Sequence, residues 1–357
     1  MEFHQILASA SPGDAITNFA FQIRSVCRTL GPSEMYALHF DPALEGEVLP
    51  LKSYAGRDGR PSNVSLIYHA SIGEPKVISF LMERPEPLVL VYHNISPAKA
   101  FERYDPRLAR LLDEGRRELT ELRNRVTLVL ADSAFNAREL QSLGYEDVQI
   151  SPPIFNLDGL TSIEPHGPTV NHIESFVDGP AILFVGQLLP HKRPDLLVQA
   201  YHVLSTYLQP ETFLFLVGAP RIRSYREALQ RYIEELNLPR AWITGQVSVE
   251  QLAAFYRHSD VFVTASEHEG FCVPLLEAMA FDLPIVGRKY GAVPETLDGA
   301  GLLLPPEDDP VLMAEAIGTV LSDRSLRESL VARGRERLKE FDPEVCRATF
   351  LKCLQTL

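Results

Sequence analysis

At 357 residues the chain exceeds what one hydrophobic core usually serves, so two domains are expected. A formal net charge of -13, with 45% hydrophobic and 23% charged residues, fits a soluble globular protein and argues against general nucleic-acid affinity, which needs basic faces. Cys27, Cys272, Cys346 and Cys353 form no C-x-x-C pair, which argues against a zinc site or redox dithiol and suits a reducing cytosol. Met1–Ala10 lacks a basic region followed by a long apolar run, and no apolar stretch is long enough to span a bilayer. The expected location is cytoplasmic, with any membrane contact peripheral.

Phe3–Ala8 reads as a buried strand, Ser11-Pro12-Gly13-Asp14 as a turn, and Ala15, Phe19, Ile23, Val26 and Leu30 as one face of a helix ended by Gly31-Pro32. Strand, glycine turn and helix open many nucleotide-binding α/β units, although Gly13 also suits any tight turn. Met35–Phe40 and Val64–Tyr68 read as further strands separated by a polar, turn-rich segment at 57–63, and His69 follows the second of them. Pro87–Tyr92 is an apolar run of the kind buried in parallel sheets and delivers His93-Asn94 at its carboxyl end, where α/β folds place ligands. Pro97–Arg125 is charged and helical in character, its arginines interleaved with acids, which reads first as a solvated face and second as a surface for anionic lipid or a diphosphate-linked acceptor. Val126–Ala131, Ser133–Leu143 and Val148–Ser151 continue the rhythm as strand, helix and strand.

Pro152-Pro153 and Asn156–Gly179 shift toward breakers and read as an interdomain linker. Ala181–Val185, Phe213–Val217, Ala241–Thr244, Val261–Thr264, Pro284–Val286 and Gly301–Leu304 then read as the strands of a second doubly wound domain. Ser248 caps a helix through His258, and Asp308-Asp309 before Pro310 suits a helix N-terminus better than a metal-binding pair. The most informative stretch is Glu269 to Glu277, two carboxylates bracketing seven residues. Pro274 is welcome in a first helical turn, so the segment reads as strand, glutamate-bearing loop and helix. The helix N-terminus offers a place for phosphate, and Glu277, expected in the first helical turn, and Glu269, just before the helix, can face one small ligand from different sides. A solvated loop with an acid near a helix start is the plain alternative.

Glu269–Glu277 resembles the E-x7-E signature of the retaining glycosyltransferases of family GT4, which have the GT-B fold. Val185-Gly186-Gln187-Leu188 through Lys192, Gly245-Gln246-Val247-Ser248, Gly291–Glu295 and Gly301–Pro306 agree with it in the same order, covering nearly the whole second half. The first half resembles the family more loosely. The resemblance implies an α/β GT-B fold, two Rossmann-like doubly wound domains facing a cleft. An acceptor-side domain over 1–160 would be joined by the C-terminal helix at 343–357, and a nucleotide-sugar-binding domain would occupy 161–342.

The implied activity is retaining transfer of a sugar from a nucleotide diphosphate sugar to a glycan or lipid-linked acceptor, in polysaccharide or glycoconjugate biosynthesis. The resemblance gives Glu269, His93 and Lys192 catalytic roles. It places Gly13, Gln187, Arg193, Val247, Gly270, Phe271, Cys272, Val273 and Glu277 at the donor. It implies no metal and no cofactor; the net charge argues against a nucleic-acid partner, and any membrane contact is expected to be peripheral, at the inner face. One residue departs from the pattern: Gln187 stands where the family presents an arginine, and a neutral amide cannot replace a guanidinium fork on phosphate. Arg193, next to Lys192, is placed to supply part of the missing charge. Two alternatives remain: another GT-B enzyme, such as a nucleotide-sugar epimerase or phosphorylase, and a non-catalytic GT-B partner subunit.

Overall fold

Short apolar runs closed by turns become parallel strands here because the connections, mostly helical, return the chain to the same end of the sheet each time. The computed structural model describes residues 1–54 and 63–357, and they divide into two compact units. The turn-rich reading of 57–63 falls, Asn63 excepted, outside the described residues. The first unit comprises Met1–Glu102, Pro106–Phe155 and Phe341–Leu357, and the second Asn156–Glu340 with Arg103–Asp105.

The first unit runs β1 (Glu2–Ala10), α1 (Ala15–Cys27), β2 (Met35–Phe40), β3 (Leu49–Pro50), β4 (Val64–Ala70), α2 (Pro75–Met82), β5 (Leu88–Tyr92), α3 (Pro106–Leu122), β6 (Leu128–Ala131), α4 (Ala134–Ser142) and β7 (Gln149–Ile150). Among the described residues its strands form one parallel sheet in the order β3-β2-β1-β4-β5-β6-β7. β4 and β5 are buried along their whole length, as central parallel strands covered on both faces must be. The winding direction reverses between β1 and β4, a topological switch point. α1 begins where the Asp14 carboxylate accepts from the Thr17 N–H at 2.9 Å. The C-terminal helix, Pro343–Leu354, places Cys346, Phe350, Cys353 and Leu354 in one core with Phe3, Phe19, Ile23, Ile67, Val89 and Leu128. The end of the chain therefore helps build the unit that its beginning starts.

The charged stretch at 97–125 is helical only from Pro106 to Leu122, preceded by a single 3-10 turn at Ala98–Ala100. Within α3, Glu118 is 3% exposed and accepts the Glu74 N–H at 3.0 Å. Burial pushes this carboxyl from the ordinary 4.5 up to about 7, against the pull of the Glu74 amide. A raised folded-state value means that the Glu118 contribution is complete below about 4.5 and is lost as pH rises through about 7. Glu118→Gln is expected to flatten that slope and leave the variant about 1–3 kcal/mol more stable than the parent above pH 8. Denaturation at several pH values checks it, and an unchanged slope in the variant would remove Glu118 as the cause.

The second unit runs α5 (Leu157–Thr161), α6 (Gly167–Phe176), β8 (Ala181–Val185), α7 (Pro194–Val203), β9 (Phe213–Val217), α8 (Arg223–Glu235), β10 (Ala241–Gly245), α9 (Val249–Arg257), β11 (Val261–Thr264), α10 (Val273–Ala280), β12 (Ile285–Arg288), α11 (Val293–Leu297), β13 (Leu302–Leu304), α12 (Pro310–Ser322) and α13 (Arg324–Leu338). Its described strands form a parallel sheet ordered β10-β9-β8-β11-β12-β13. Ile182, Leu214, Leu216, Val261, Val263 and Val286 meet Leu197, Tyr201, Met313, Ile317 and Val320 of α7 and α12 in its core. Ser248 and Gln251 form a reciprocal capping box at α9, and Asp309 caps α12 by accepting from Val311 and Leu312.

The expected linker at 156–179 is corrected: it contains α5 and α6, which pack on α10 and α9. Its breakers mark helix starts. Asn156 accepts from the Gly159 N–H at 2.9 Å, and Pro168 stands in the first turn of α6, where no N–H is required. The stretch Gly291–Glu295 is helical from Val293. Among the described residues no helix is long and apolar enough to cross a membrane.

Candidate functional site

In the second sheet β8 and β11 are neighbours, yet the chain winds away from β8 in one direction before β11 starts the other. The loops after them therefore meet at the switch point, the usual ligand position in an open α/β sheet. The β8 loop ends in the 3-10 turn Pro190–Lys192, and the β11 loop carries Glu269. The Glu267 N–H donates to the His191 carbonyl at 2.8 Å and ties the two loops together.

Lys192 Nζ donates to Glu269 Oε2 at 2.5 Å, the two side chains being 22% and 8% exposed. The Ser266 hydroxyl donates to Glu269 Oε1 at 2.7 Å and sits 3.1 Å from the Thr264 hydroxyl. The Glu269 backbone is held too, because its carbonyl accepts the Ala292 N–H at 2.9 Å. Gly291 lies so close that a Cβ there would stand 2.4 Å from the same carbonyl oxygen, and its φ is 56°. Glycine is required by both contact and conformation.

Glu269 leads into Gly270 and Phe271, whose carbonyl accepts from the Thr296 hydroxyl at 2.7 Å. Cys272 follows as the residue before α10, in the left-handed region with φ 71°. Burial pushes its thiol well up, helped by Glu269, so it is not a reactive nucleophile. Val273 is the first residue of α10, and the first-turn N–H groups have by position no acceptor within the helix. Glu277 lies in the second turn rather than the first, which corrects its expected position; the helix starts one residue before Pro274. Its Oε2 accepts from the Tyr256 hydroxyl at 2.7 Å, and the Tyr256 ring stacks on Phe281 at 4.9 Å. Burial raises the Glu277 carboxyl, and the Tyr256 bond opposes the shift.

Arg193 follows Lys192 in the left-handed region, with φ 52°. Its guanidinium pairs with Glu267, with Asp308 at 2.7 Å and with Asp195 at 3.2 Å. Burial alone would lower Arg193, but Asp195, Asp308 and Glu267 raise it on balance. The guanidinium expected to supply part of the missing charge is thus already paired with three carboxylates. Gln187 stands in the turn after β8, and Val247 in the turn after β10, next to the cap Ser248.

In the first unit, Gly13 lies in the β1 loop at that sheet's own switch point. Its φ of 76° calls for glycine, and a Cβ there would meet open space. His93 follows β5, with its Nε2 2.8 Å from His69 Nδ1 and its Nδ1 2.9 Å from Asp132 Oδ2. Both ring nitrogens are thus engaged inside the unit.

The second unit brings together Lys192, Glu269, Gly270, Phe271, Cys272, Val273 and Glu277; the first carries Gly13 and His93 at the carboxyl ends of its strands. Ser266, Tyr256, Asp132 and Gln5 were not legible as functional residues. They are ordinary residue types whose meaning comes from their neighbours, on other elements for Tyr256, Asp132 and Gln5 and in its own loop for Ser266. Only Asp132 had a signal, its place directly after a buried strand.

Two parallel, doubly wound units of this kind define the GT-B class of fold. Residues 171–337, within the second unit, match the model of the family described as glycosyl transferases group 1. A curated relative, the O-antigen chain mannosyltransferase B of Escherichia coli, is 32% identical over 166 residues, 46% of this chain and 42% of the relative. The chain spans about half the length of the curated relatives it matches, 42–50% for three of them. Among solved structures, the sucrose-phosphate synthase of Thermosynechococcus elongatus is similar with a TM-score of 0.78 at 19% identity, covering 99% of this chain and 98% of that one. HepE of Anabaena, solved in complex with UDP and glucose, gives 0.77 at 16% identity over 99% and 100% of the two chains. At these identities the likeness is one of fold.

Proposed function

We propose that this protein is a retaining glycosyltransferase that moves a sugar from a nucleotide diphosphate sugar to a glycan or lipid-linked acceptor in glycoconjugate biosynthesis. The observation that carries the reading is the meeting of Lys192, Glu269 and the α10 N-terminus at the switch point of a family-matched unit. The mannosyl transfer named for the Escherichia coli relative and the UDP and glucose held by the Anabaena protein support it.

In this reading the α10 N-terminus and Lys192 hold the diphosphate, and act most strongly as the leaving group gains charge. Glu269 binds the sugar hydroxyls after Lys192 turns to phosphate, with Ser266 keeping the carboxylate in place. Glu277 accepts from ribose hydroxyls, oriented by Tyr256. Val247 lies against the base, and the donor is held without a metal. The exposed Arg107, Arg110 and Leu111 on α3 suit peripheral contact with an anionic membrane surface.

The test is thermal unfolding with UDP, GDP and their sugars in the presence of a chelator, followed by an assay for slow donor hydrolysis. A cognate nucleotide at a hundredfold excess over Kd is expected to stabilise the protein by about 2.7 kcal/mol. No stabilisation by any nucleotide would sink the proposal. Binding without turnover in acceptor mixtures would favour a partner subunit, the alternative that Gln187 keeps open. Tyr256→Phe, which removes only a hydroxyl, is expected to weaken nucleotide binding about fivefold. Calorimetry checks it, and an unchanged Kd would show that Glu277 needs no such support.

A further inference from the structure

The second unit carries a cavity of about 430 Å³ that the donor reading leaves unused. It lies beside the loop after β8 and against one face of α8, and its lining residues all belong to this unit. Tyr225, Leu229 and Tyr232 share that face of α8 by their helical spacing. Tyr104, from the segment Arg103–Asp105, adds a further ring, which meets Tyr225 edge-on at 5.1 Å and is itself exposed. Arg193, Asp195 and Glu267 supply the polar groups, whereas neither Lys192, Glu269 nor a residue of α10 lines the cavity.

The polar groups decide what kind of ligand fits. Glu267 holds Arg193 through Oε1, and its Oε2 has no partner among the described residues. Asp195 is fixed by Arg193 and by the Tyr225 hydroxyl, which donates to Oδ1 at 3.0 Å. With Asp308 also on Arg193, three carboxylates meet one guanidinium, so the neighbourhood is negative on balance and repels a phosphate. A neutral ring with apolar C–H faces and hydroxyl edges suits it instead. The tyrosine rings take the faces, and the carboxylates accept the hydroxyl hydrogens. That is the chemistry of a sugar, and the volume falls in the small-ligand range of roughly 300–1,000 Å³.

We propose that this cavity is a subsite for a neutral sugar residue of the acceptor glycan, carried by the same unit as the Lys192–Glu269 pair. Its place in the fold supports that role. Arg193 directly follows Lys192, and Glu267 stands two residues before Glu269, on the two loops that meet at the switch point. A glycan held here therefore lies beside the loops that carry the donor residues. The acceptor role rests on the function proposed above; the affinity of the cavity for a sugar does not.

The experiment is saturation-transfer NMR of the full chain with methyl glycosides and disaccharides of glucose, galactose and mannose, without nucleotide. At least one of them is expected to bind. Tyr104→Ala should weaken that binding about fivefold and Glu267→Gln about tenfold, as loss of an aromatic contact and of a charged hydrogen bond do elsewhere. Tyr104→Phe, which keeps the ring, should bind as the parent does, and unfolding curves show that each variant folds. With the bound sugar supplied as acceptor, Tyr104→Ala should raise its KM about fivefold. A parent that binds nucleotide but none of these sugars would overturn the proposal, as would binding untouched by either Tyr104→Ala or Glu267→Gln. Binding of choline in place of every sugar would mark a cation cage and overturn it too. Weakened binding with an unchanged acceptor KM would overturn the acceptor role. Sugar binding lost in the variants of a protein that turns over no nucleotide-sugar would refute the donor reading and leave the sugar site standing.

Discussion

Lys192→Ala is expected to lower kcat by about 100- to 1,000-fold, the usual loss when one electrostatic donor is removed from a developing anion. Two features make the effect large here. Gln187 brings no charge, and Arg193 is already balanced by Glu267, Asp195 and Asp308. On the proposed function the leaving diphosphate would therefore have Lys192 and the α10 N-terminus to rely on. Nucleotide affinity should fall much less than kcat, because the charge being stabilised is greatest in the transition state. Arg193→Ala provides the contrast. It removes the guanidinium from three carboxylates, Asp308 keeping Arg288 and Asp195 keeping the Tyr225 hydroxyl, so its main cost should appear in thermal stability, with kcat per folded molecule close to the parent's. Gln187→Arg should raise turnover. Single-turnover kinetics and unfolding curves on the three variants check this pattern, and a Lys192→Ala protein turning over like the parent would end the assignment of the diphosphate site.

Glu277→Ala is expected to weaken nucleotide binding by about 1.5–3 kcal/mol, roughly 10- to 150-fold, the range for a lost hydrogen bond to a charged group. The Tyr256 hydroxyl occupies Oε2, leaving the rest of the carboxylate for the ribose. Tyr256→Phe leaves that carboxylate in place, so its smaller effect separates holding the ligand from orienting the holder. The alanine variant also leaves Tyr256 with an unpartnered buried hydroxyl, so its own stability must be measured beside its affinity. A folded Glu277→Ala variant with the parent's affinity would take Glu277 out of the site.

Much of the fold was legible because a parallel α/β chain writes its rhythm locally. Apolar runs such as Pro87–Tyr92, Phe213–Val217 and Val261–Thr264 are short, bounded by turns and buried on both faces, so period and length suffice to find them. The stretch at 156–179 was misread for an equally local reason. Proline and asparagine that break a helix in its interior also begin one, and only packing of α5 and α6 against α10 and α9 reveals which role they play. β3 and α2 carried no clear signal, since two residues and a helix of about two turns are too short for a period to show.

The site divides along the same line. By itself the sequence determined that a carboxylate-bearing loop leads into a proline-started helix, that a lysine closes the loop after β8, and that an arginine is missing at Gln187. Each is a matter of residue type at a given spacing. Only tertiary structure decided that Lys192 reaches Glu269, that Tyr256 and Ser266 hold the two glutamates, that Arg193 is balanced by three carboxylates, and that His69 and Asp132 take both nitrogens of His93. Winding order decides which loops meet at a switch point, and burial makes a partnered charge persist where water would otherwise dissolve the pair. Neither property belongs to any one residue, so neither can be read from the chain one segment at a time.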